Sequence, residues 1–343
     1  MPKTKFIKDF LSGEKINDIF LLTHKQLCVG KNDNQYLSLK LADKTGEIDG
    51  KKWNISSENE FDDLVEGKYY NITGLVNEYN GNLQFRVDSI AKTSENCNSA
   101  DFLASSPKDI NDMKKKLNNI IVSVKDEKCK KLLHYFFDNQ SFYNKFIEAP
   151  AAMTFHHAYV SGLLEHTLDV CNVADKVASV YYEIIKRDVL ITGALLHDMA
   201  KIREYKIKSG IEFTSEGQFM GHLVMGASMV EAACKELDLD EEFCGIIAHM
   251  ILSHHGKLEY GSPKVPCTLE AMVLHMADEL SFKVHYFVNL VQGDKSDDAF
   301  TKNNKTNFET RLYKGFVNEY LEKKDQEEKE QKITDDFLRE WGK

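Results

Sequence analysis

Ten of the twelve histidines fall between His156 and His285, so one stretch of this 343-residue chain is enriched in the side chain most used for metal binding and proton transfer. Position on an element decides whether such an imidazole can do chemistry, because a ligand must point into a shared interior and not into water. His166 heads the i, i+4, i+7, i+11 series His166, Val170, Val173, Val177, which is the apolar stripe of a helix. His222 leads Met225, Met229 and Ala233 in the same way, and His254 extends Ile247, Met250 and Ile251. One imidazole on an apolar stripe is commonly a hydrogen-bonded core residue. Three of them on three helices, with carboxylates in the same setting, point to a cation.

The carboxylates are Asp198 and Asp278. Asp198 follows His197 in the apolar run Ala194-Leu195-Leu196-His197-Asp198-Met199-Ala200-Lys201, where an unpaired charge would carry a heavy desolvation cost. Asp278 shares a stripe with Leu274 and Phe282 in a helix that is apolar on nearly every side. Imidazoles with carboxylates and no thiolate spacing suit Mn²⁺, Fe²⁺, Mg²⁺ or Zn²⁺ in five- or six-coordinate geometry, not a Cys-type structural zinc. One or two divalent ions held this way would serve hydrolysis of a phosphoester.

The elements that position these residues change character along the chain. Residues 1–92 read as strands. Tyr36-Leu37-Ser38-Leu39-Lys40-Leu41 alternates apolar and polar, Asp43-Lys44-Thr45-Gly46 supplies a turn, and Glu47 to Trp53 makes a hairpin partner. Another strand starts at Tyr70, and Asn80-Gly81 between Val76 and Leu83 is a strong hairpin signal. About five short strands at this spacing fit a small OB-type barrel. Its aromatic and basic residues could stack bases and meet phosphates, as single-strand binders do. Tyr36 and Lys40 on one strand face, with Lys51, Trp53 and Arg86, are the candidates. Residues 93–107, rich in small polar side chains and closed by Pro107, are the expected linker. From Lys108 the period becomes helical and remains so to about residue 290, with a charged, helical segment expected over 291–343, where Phe337 and Trp341 stand i, i+4. The expected fold is therefore multidomain: an all-β barrel, then an all-α domain over 108–290.

Composition narrows the classes of function. No apolar run approaches the roughly 20 residues that span a bilayer, and no secretory h-region opens the sequence, so a cytoplasmic protein with no membrane partner is expected. Seven scattered cysteines with no CxxC spacing suggest neither a disulfide framework nor a zinc ribbon. The net charge of −10 opposes non-specific polyanion binding, but the charge is uneven. Eight bases face four acids between Lys108 and Lys131, so a polyanion can still be handled locally.

One His, an adjacent His-Asp, and a later Asp on another helix resemble the HD phosphohydrolase superfamily, all-helical enzymes that cleave phosphoesters with one or two metals. That resemblance implies His166, His197, Asp198 and Asp278 as ligands of a first metal. His222 and Ser253-His254-His255-Gly256 resemble the two-metal version, in which Asp198 bridges both ions and His222, His254 and His255 complete the second position. The HDxxK spacing implies Lys201 at the phosphate. His157, in His156-His157-Ala158-Tyr159, is a candidate to contact the scissile group or protonate the leaving oxygen. A barrel before an HD domain, with Ala149-Pro150-Ala151-Ala152 and Gly162-Leu163-Leu164-Glu165-His166-Thr167, is similar to the YhaM-type 3′→5′ exoribonucleases of Gram-positive bacteria over roughly residues 1–290. The resemblance implies Mn²⁺-favoured release of nucleoside 5′-monophosphates from single-stranded RNA, with single-stranded DNA as a further substrate or ligand; homo-oligomerisation is left open.

Two other functions fit the same residues. An HD enzyme acting on a small nucleotide or cyclic nucleotide would have the same metal centre but no need of a stacking platform. A non-catalytic single-strand-binding module would be expected to lack ligands, and here every ligand position is filled.

Overall fold

The computed structural model describes residues 3–30, 34–53, 61–79, 82–93, 101–102, 106, 108–153, 159–207, 210–294, 296–302, 308–321 and 323. The chain forms two compact units, Met1–His275 and Met276–Lys343.

The first unit opens with a closed five-stranded barrel. Its strands are β1 (Lys15–Val29), β2 (Gln35–Asp43), β3 (Gly46–Lys52), β4 (Lys68–Tyr79) and β5 (Asn82–Lys92), ordered β1-β2-β3-β5-β4 around the barrel. All pairings are antiparallel except β3 with β5, whose parallel contact closes the sheet through Gly50 opposite Phe85. Closure abolishes the exposed edges that an open sheet presents. The alternation read in β2 places Leu37, Leu39 and Leu41 inward, beside Phe20, Ile72, Val76 and Phe85. The expected turn between Asp43 and Gly46 is present, and Tyr79 pairs with Asn82 across Asn80-Gly81, which lie outside the described residues. The long β1, not among the strands named from the sequence, threads the barrel by pairing with both β2 and β4.

The helices that follow the barrel include α1 (Ile110–Ser123), α2 (Glu127–Phe137), α3 (Gln140–Glu148), α4 (Gly162–Val180), α5 (Arg187–Leu196), α6 (Lys201–Glu204), α7 (Ser215–Glu236), α8 (Glu241–Ser253) and α9 (Leu269–Gly293). Side-chain oxygens of Asp109, Asp126, Asn139, Thr214 and Asp240 accept backbone N–H groups at the starts of α1, α2, α3, α7 and α8. Each such cap satisfies donors that the first helical turn leaves over. The barrel-then-helices order is as expected.

Three details differ from the sequence reading. β6 (Tyr205–Ile207) and β7 (Ile211–Phe213) form a hairpin inside the helical part, between α6 and α7. The buried line of α4 runs from His166 and Val170 to Cys171, Ala174 and Ala178, while Val173 and Val177 are only half-buried, so the face turned to the core lies about a quarter-turn to one side of the stripe read from the sequence. Cys234 on α7 and Cys244 on α8 are joined in a disulfide that a ten-residue separation does not announce; the packing of two antiparallel helices brings the sulfurs together. Of the segment 291–343, residues 315–321 are helical, whereas Phe300 and Tyr313 form an isolated β-bridge. Phe337 and Trp341 lie outside the described residues.

Candidate metal centre

Asp198 is the hub of the site. It follows α5, whose middle is wholly buried, and the turn from His197 to Ala200 leads directly into α6. That turn folds Lys201 back so that its ammonium donates to Asp198 Oδ2 at 2.6 Å. On the same oxygen converge His166 from α4 at 3.4 Å and His197 at 3.3 Å, each through Nε2, and these two nitrogens are 3.2 Å apart. The other oxygen, Oδ1, faces His222 Nε2 from α7 at 3.4 Å and His254 Nε2 from the end of α8 at 3.5 Å. His255 stands beside this second pair, with ligand atoms of His222, His254 and His255 all within 4.8 Å of one another. Asp198, His166, His197 and His254 are almost completely buried.

Three of these imidazoles have their protons committed elsewhere. His197 Nδ1 donates to the Ala194 carbonyl at 2.8 Å, His254 Nδ1 to the Ile251 carbonyl at 2.7 Å, and His222 Nδ1 to the Glu204 carboxylate at 3.0 Å. A neutral imidazole with its hydrogen on Nδ1 presents a bare lone pair at Nε2. Lone pairs of imidazoles therefore face carboxylate oxygens with no hydrogen between them. Asp198 Oδ1, His222 Nε2 and His254 Nε2 have no hydrogen-bond partner among the described residues, a costly state for buried polar atoms. Protonation of His254 would relieve it, but burial pushes that imidazole down to about 3. Burial would raise the Asp198 carboxyl, yet the Lys201 ammonium beside it and its other close partners outweigh burial and hold Asp198 ionised, well below the usual carboxylate range.

Divalent cations fit this donor set. Nitrogen and oxygen ligands about 2.1 Å from one ion must lie roughly 3.0 to 3.4 Å from each other. The separations within His166, His197 and Asp198 are 3.2, 3.3 and 3.4 Å. The histidines divide between the two oxygens of this one carboxylate, His166 and His197 on Oδ2, His222 and His254 on Oδ1.

Asp278 is half-buried on α9, in the second unit, one helical turn after His275. His275 itself donates Nδ1 to the His254 carbonyl at 2.8 Å. Lys201 sits on Asp198, buried, so its ammonium serves the carboxylate. His157 lies outside the described residues. His249 accepts the Cys267 backbone N–H at 3.0 Å and takes no part in the cluster.

Glu204 is the functional residue that the sequence reading missed. Buried at the end of α6, it accepts both the backbone N–H and Nδ1–H of His222, at 3.0 Å and 3.0 to 3.1 Å. Burial opposes its ionisation, but these bonds from His222 hold it below the ordinary glutamate range. Two glycines make the contact attainable. Gly217 lies against the Glu204 backbone, where a Cβ would approach the carbonyl oxygen to 2.3 Å, and Gly221 takes φ +69°, breaking α7 just before His222. Its sequence signal is a carboxylate six residues after Asp198, within the short helix that ends the HDxxK turn.

On the barrel, Tyr36 and Trp53 stack at 4.5 Å with an interplanar angle of 28°. Lys51 Nζ lies 5.7 Å from the Tyr36 ring and 5.9 Å from that of Tyr79. Trp53 and Tyr79 are 48% and 63% exposed, so this basic aromatic patch faces solvent. Arg86 pairs in register with Lys51, and its Nε lies 3.5 Å from Asp88. Lys40 stands four residues along β2 from Tyr36, with Nζ 4.0 Å from Glu47, and is the outlier of the group.

Comparison with known proteins follows the same division. Residues 21–92 match the OB-fold nucleic acid binding domain, and residues 163–283 match the HD domain. A protein named 3′-5′ exoribonuclease YhaM from Shouchella clausii is 31% identical over 90% of this chain and 98% of its own length. The chain belongs to the YhaM family. Further YhaM relatives, from Halalkalibacterium halodurans and Bacillus subtilis, are 34% and 30% identical over 80% and 88% of this chain, covering 85% and 97% of their own lengths. No described helix is long and apolar enough to cross a membrane.

Proposed function

We propose that this chain is a metal-dependent 3′→5′ exoribonuclease that releases nucleoside 5′-monophosphates from single-stranded RNA and also accepts single-stranded DNA. Membership of the YhaM family supports a hydrolytic nuclease, and the HD match supports phosphoester cleavage. The observation that carries metal dependence is the convergence of the His197, His222 and His254 Nε2 lone pairs on the two oxygens of Asp198, which a bound cation would reconcile. On this reading His166, His197, Asp198 and Asp278 would hold one ion, and His222, His254 and His255, with Asp198, would hold a second. When bound, the ions, with Mn²⁺ the expected occupant, supply Lewis acidity that lowers the pKa of water and neutralises charge growing on the phosphoryl oxygens.

The chain's own groups do the positioning. Lys201 keeps Asp198 ionised and fixes its rotamer. Glu204 and the carbonyls of Ala194 and Ile251 orient the imidazoles by taking their Nδ1 hydrogens. The patch of exposed Trp53 with half-buried Tyr36 and Lys51 offers stacking and charge to successive nucleotides of a single strand. That patch favours a polynucleotide over a mononucleotide substrate.

The test is digestion of 5′-labelled single-stranded RNA by purified protein, with Mn²⁺ and after chelation. A ladder shortening in single-nucleotide steps, lost on chelation, is expected. Intact RNA alongside hydrolysis of a free or cyclic nucleotide would establish the nucleotide phosphohydrolase instead.

A further inference from the structure

The loop after α8 carries features that the metal centre does not require. His255, the partly exposed member of the second histidine group, is held through Nδ1 by the Tyr260 carbonyl at 3.2 Å. The loop is tied at several points. Gly256 N–H donates to the Ser253 carbonyl, Lys257 N–H to that of His255, and Tyr260 N–H to that of Lys257. The buried Ser262 hydroxyl lies 2.9 Å from the Leu252 carbonyl and 2.7 Å from that of Lys264. Gly256 and Gly261 turn the backbone at φ +76° and +78°, where a side chain would be strained. A loop so constrained is preorganised, and it presents a Tyr260 ring 56% exposed, with the Lys257 ammonium 5.1 Å from the ring centroid.

An exposed aromatic ring beside an ammonium matches the two things a nucleotide offers, a base face and a phosphate. The backbone bond to His255 fixes this pair next to the second histidine group, whose ring lies 5.2 Å from His222 and 4.6 Å from His254. We propose that Tyr260 and Lys257 form the subsite for the 3′-terminal nucleotide, with Tyr260 stacking on its base and Lys257 meeting its phosphate. This rests on the exoribonuclease reading above, and it assigns the terminal base to the helical domain while the barrel patch serves nucleotides upstream.

The experiment crosses enzyme with substrate. Wild type, Tyr260→Ala and Tyr260→Phe are each given single-stranded RNA with a normal or an abasic 3′-terminal nucleotide, with Mn²⁺, and kcat/KM is measured for the first cleavage. Loss of one base stack is expected to cost wild type roughly 5- to 150-fold on the abasic end, mainly in KM. Tyr260→Ala loses the same factor on the normal end and then no longer distinguishes the two substrates, while Tyr260→Phe behaves as wild type. Lys257→Gln reduces the slope of log KM against log salt by about 0.7, the loss of one phosphate contact on a single strand. If Tyr260→Ala discriminates against the abasic end as strongly as wild type, Tyr260 does not stack on the terminal base and the subsite is refuted. An unchanged salt slope removes Lys257 from it. Wild type that shortens neither RNA refutes the exoribonuclease reading itself, a result distinct from both.

Discussion

Removing Glu204 probes the centre without touching a ligand. Its carboxylate is the acceptor for two buried donors of His222, the backbone N–H at 3.0 Å and Nδ1–H at 3.0 to 3.1 Å. Each buried donor left without an acceptor costs about 1 to 3 kcal/mol, so Glu204→Ala should destabilise the metal-free protein by about 3 kcal/mol where one water enters the gap. The His222 ring also loses the bond that sets its tautomer, and loss of such outer partners weakens metal affinity about 10- to 100-fold. Glu204→Gln keeps an oxygen for one of the two donors and should fall between. Urea denaturation of chelator-treated protein measures the first effect. Calorimetric titration with Mn²⁺ at pH 7.5 measures the second. Wild-type Mn²⁺ affinity in Glu204→Ala would refute the argument that this carboxylate aims His222 at an ion.

Other outcomes follow from the same structure. His254 is driven from an ordinary 6.5 to about 3 by burial, so the unfolded chain binds the extra proton; the stability held above pH 6.5 is lost as pH falls toward 3. Between pH 7.5 and pH 5.0 the metal-free protein should lose about 2 kcal/mol from this group, read as a lower urea midpoint, and an unchanged midpoint would count against a buried neutral His254. Trp53→Ala strips the ring stacked on Tyr36 and should weaken single-stranded RNA binding by about 1 to 3 kcal/mol in a fluorescence anisotropy titration, whereas unaltered binding would move the RNA path off this face. Reduction of Cys234–Cys244 should cost up to about 3 kcal/mol, seen by urea denaturation with and without dithiothreitol; two further alkylatable thiols in unreduced protein would contradict the bond.

Much of the fold could be read because local rules and tertiary packing agree. Leu37, Leu39 and Leu41 alternate in sequence and point inward in β2, and the turn residues Asp43 to Gly46 sit where the strand reverses. β1 escaped because its burial loses alternation over Ile19 to Leu22, where the strand passes between two partners. The β6–β7 hairpin escaped because three-residue strands carry too short a period to register. In the centre, the histidines were visible one helix at a time, since each terminates or punctuates an apolar run. The two oxygens of Asp198 dividing them into pairs was not visible, because that depends on how α4, α7 and α8 approach the end of α5. Glu204 was hidden for a related reason: in a four-residue helix no periodicity marks a carboxylate as buried, and only the close approach at Gly217 and the break at Gly221 reveal what it holds. Tyr260 and Lys257 lie in a loop, where composition says little about which residues are fixed.

If Asp198 organises the hydrolytic centre while other surfaces hold the nucleic acid, turnover and binding of single-stranded RNA separate in Asp198→Ala, assayed side by side with wild type in Mn²⁺. Hydrolysis is then abolished while the dissociation constant for RNA stays close to wild type. A variant that still shortens RNA at a comparable rate would contradict it.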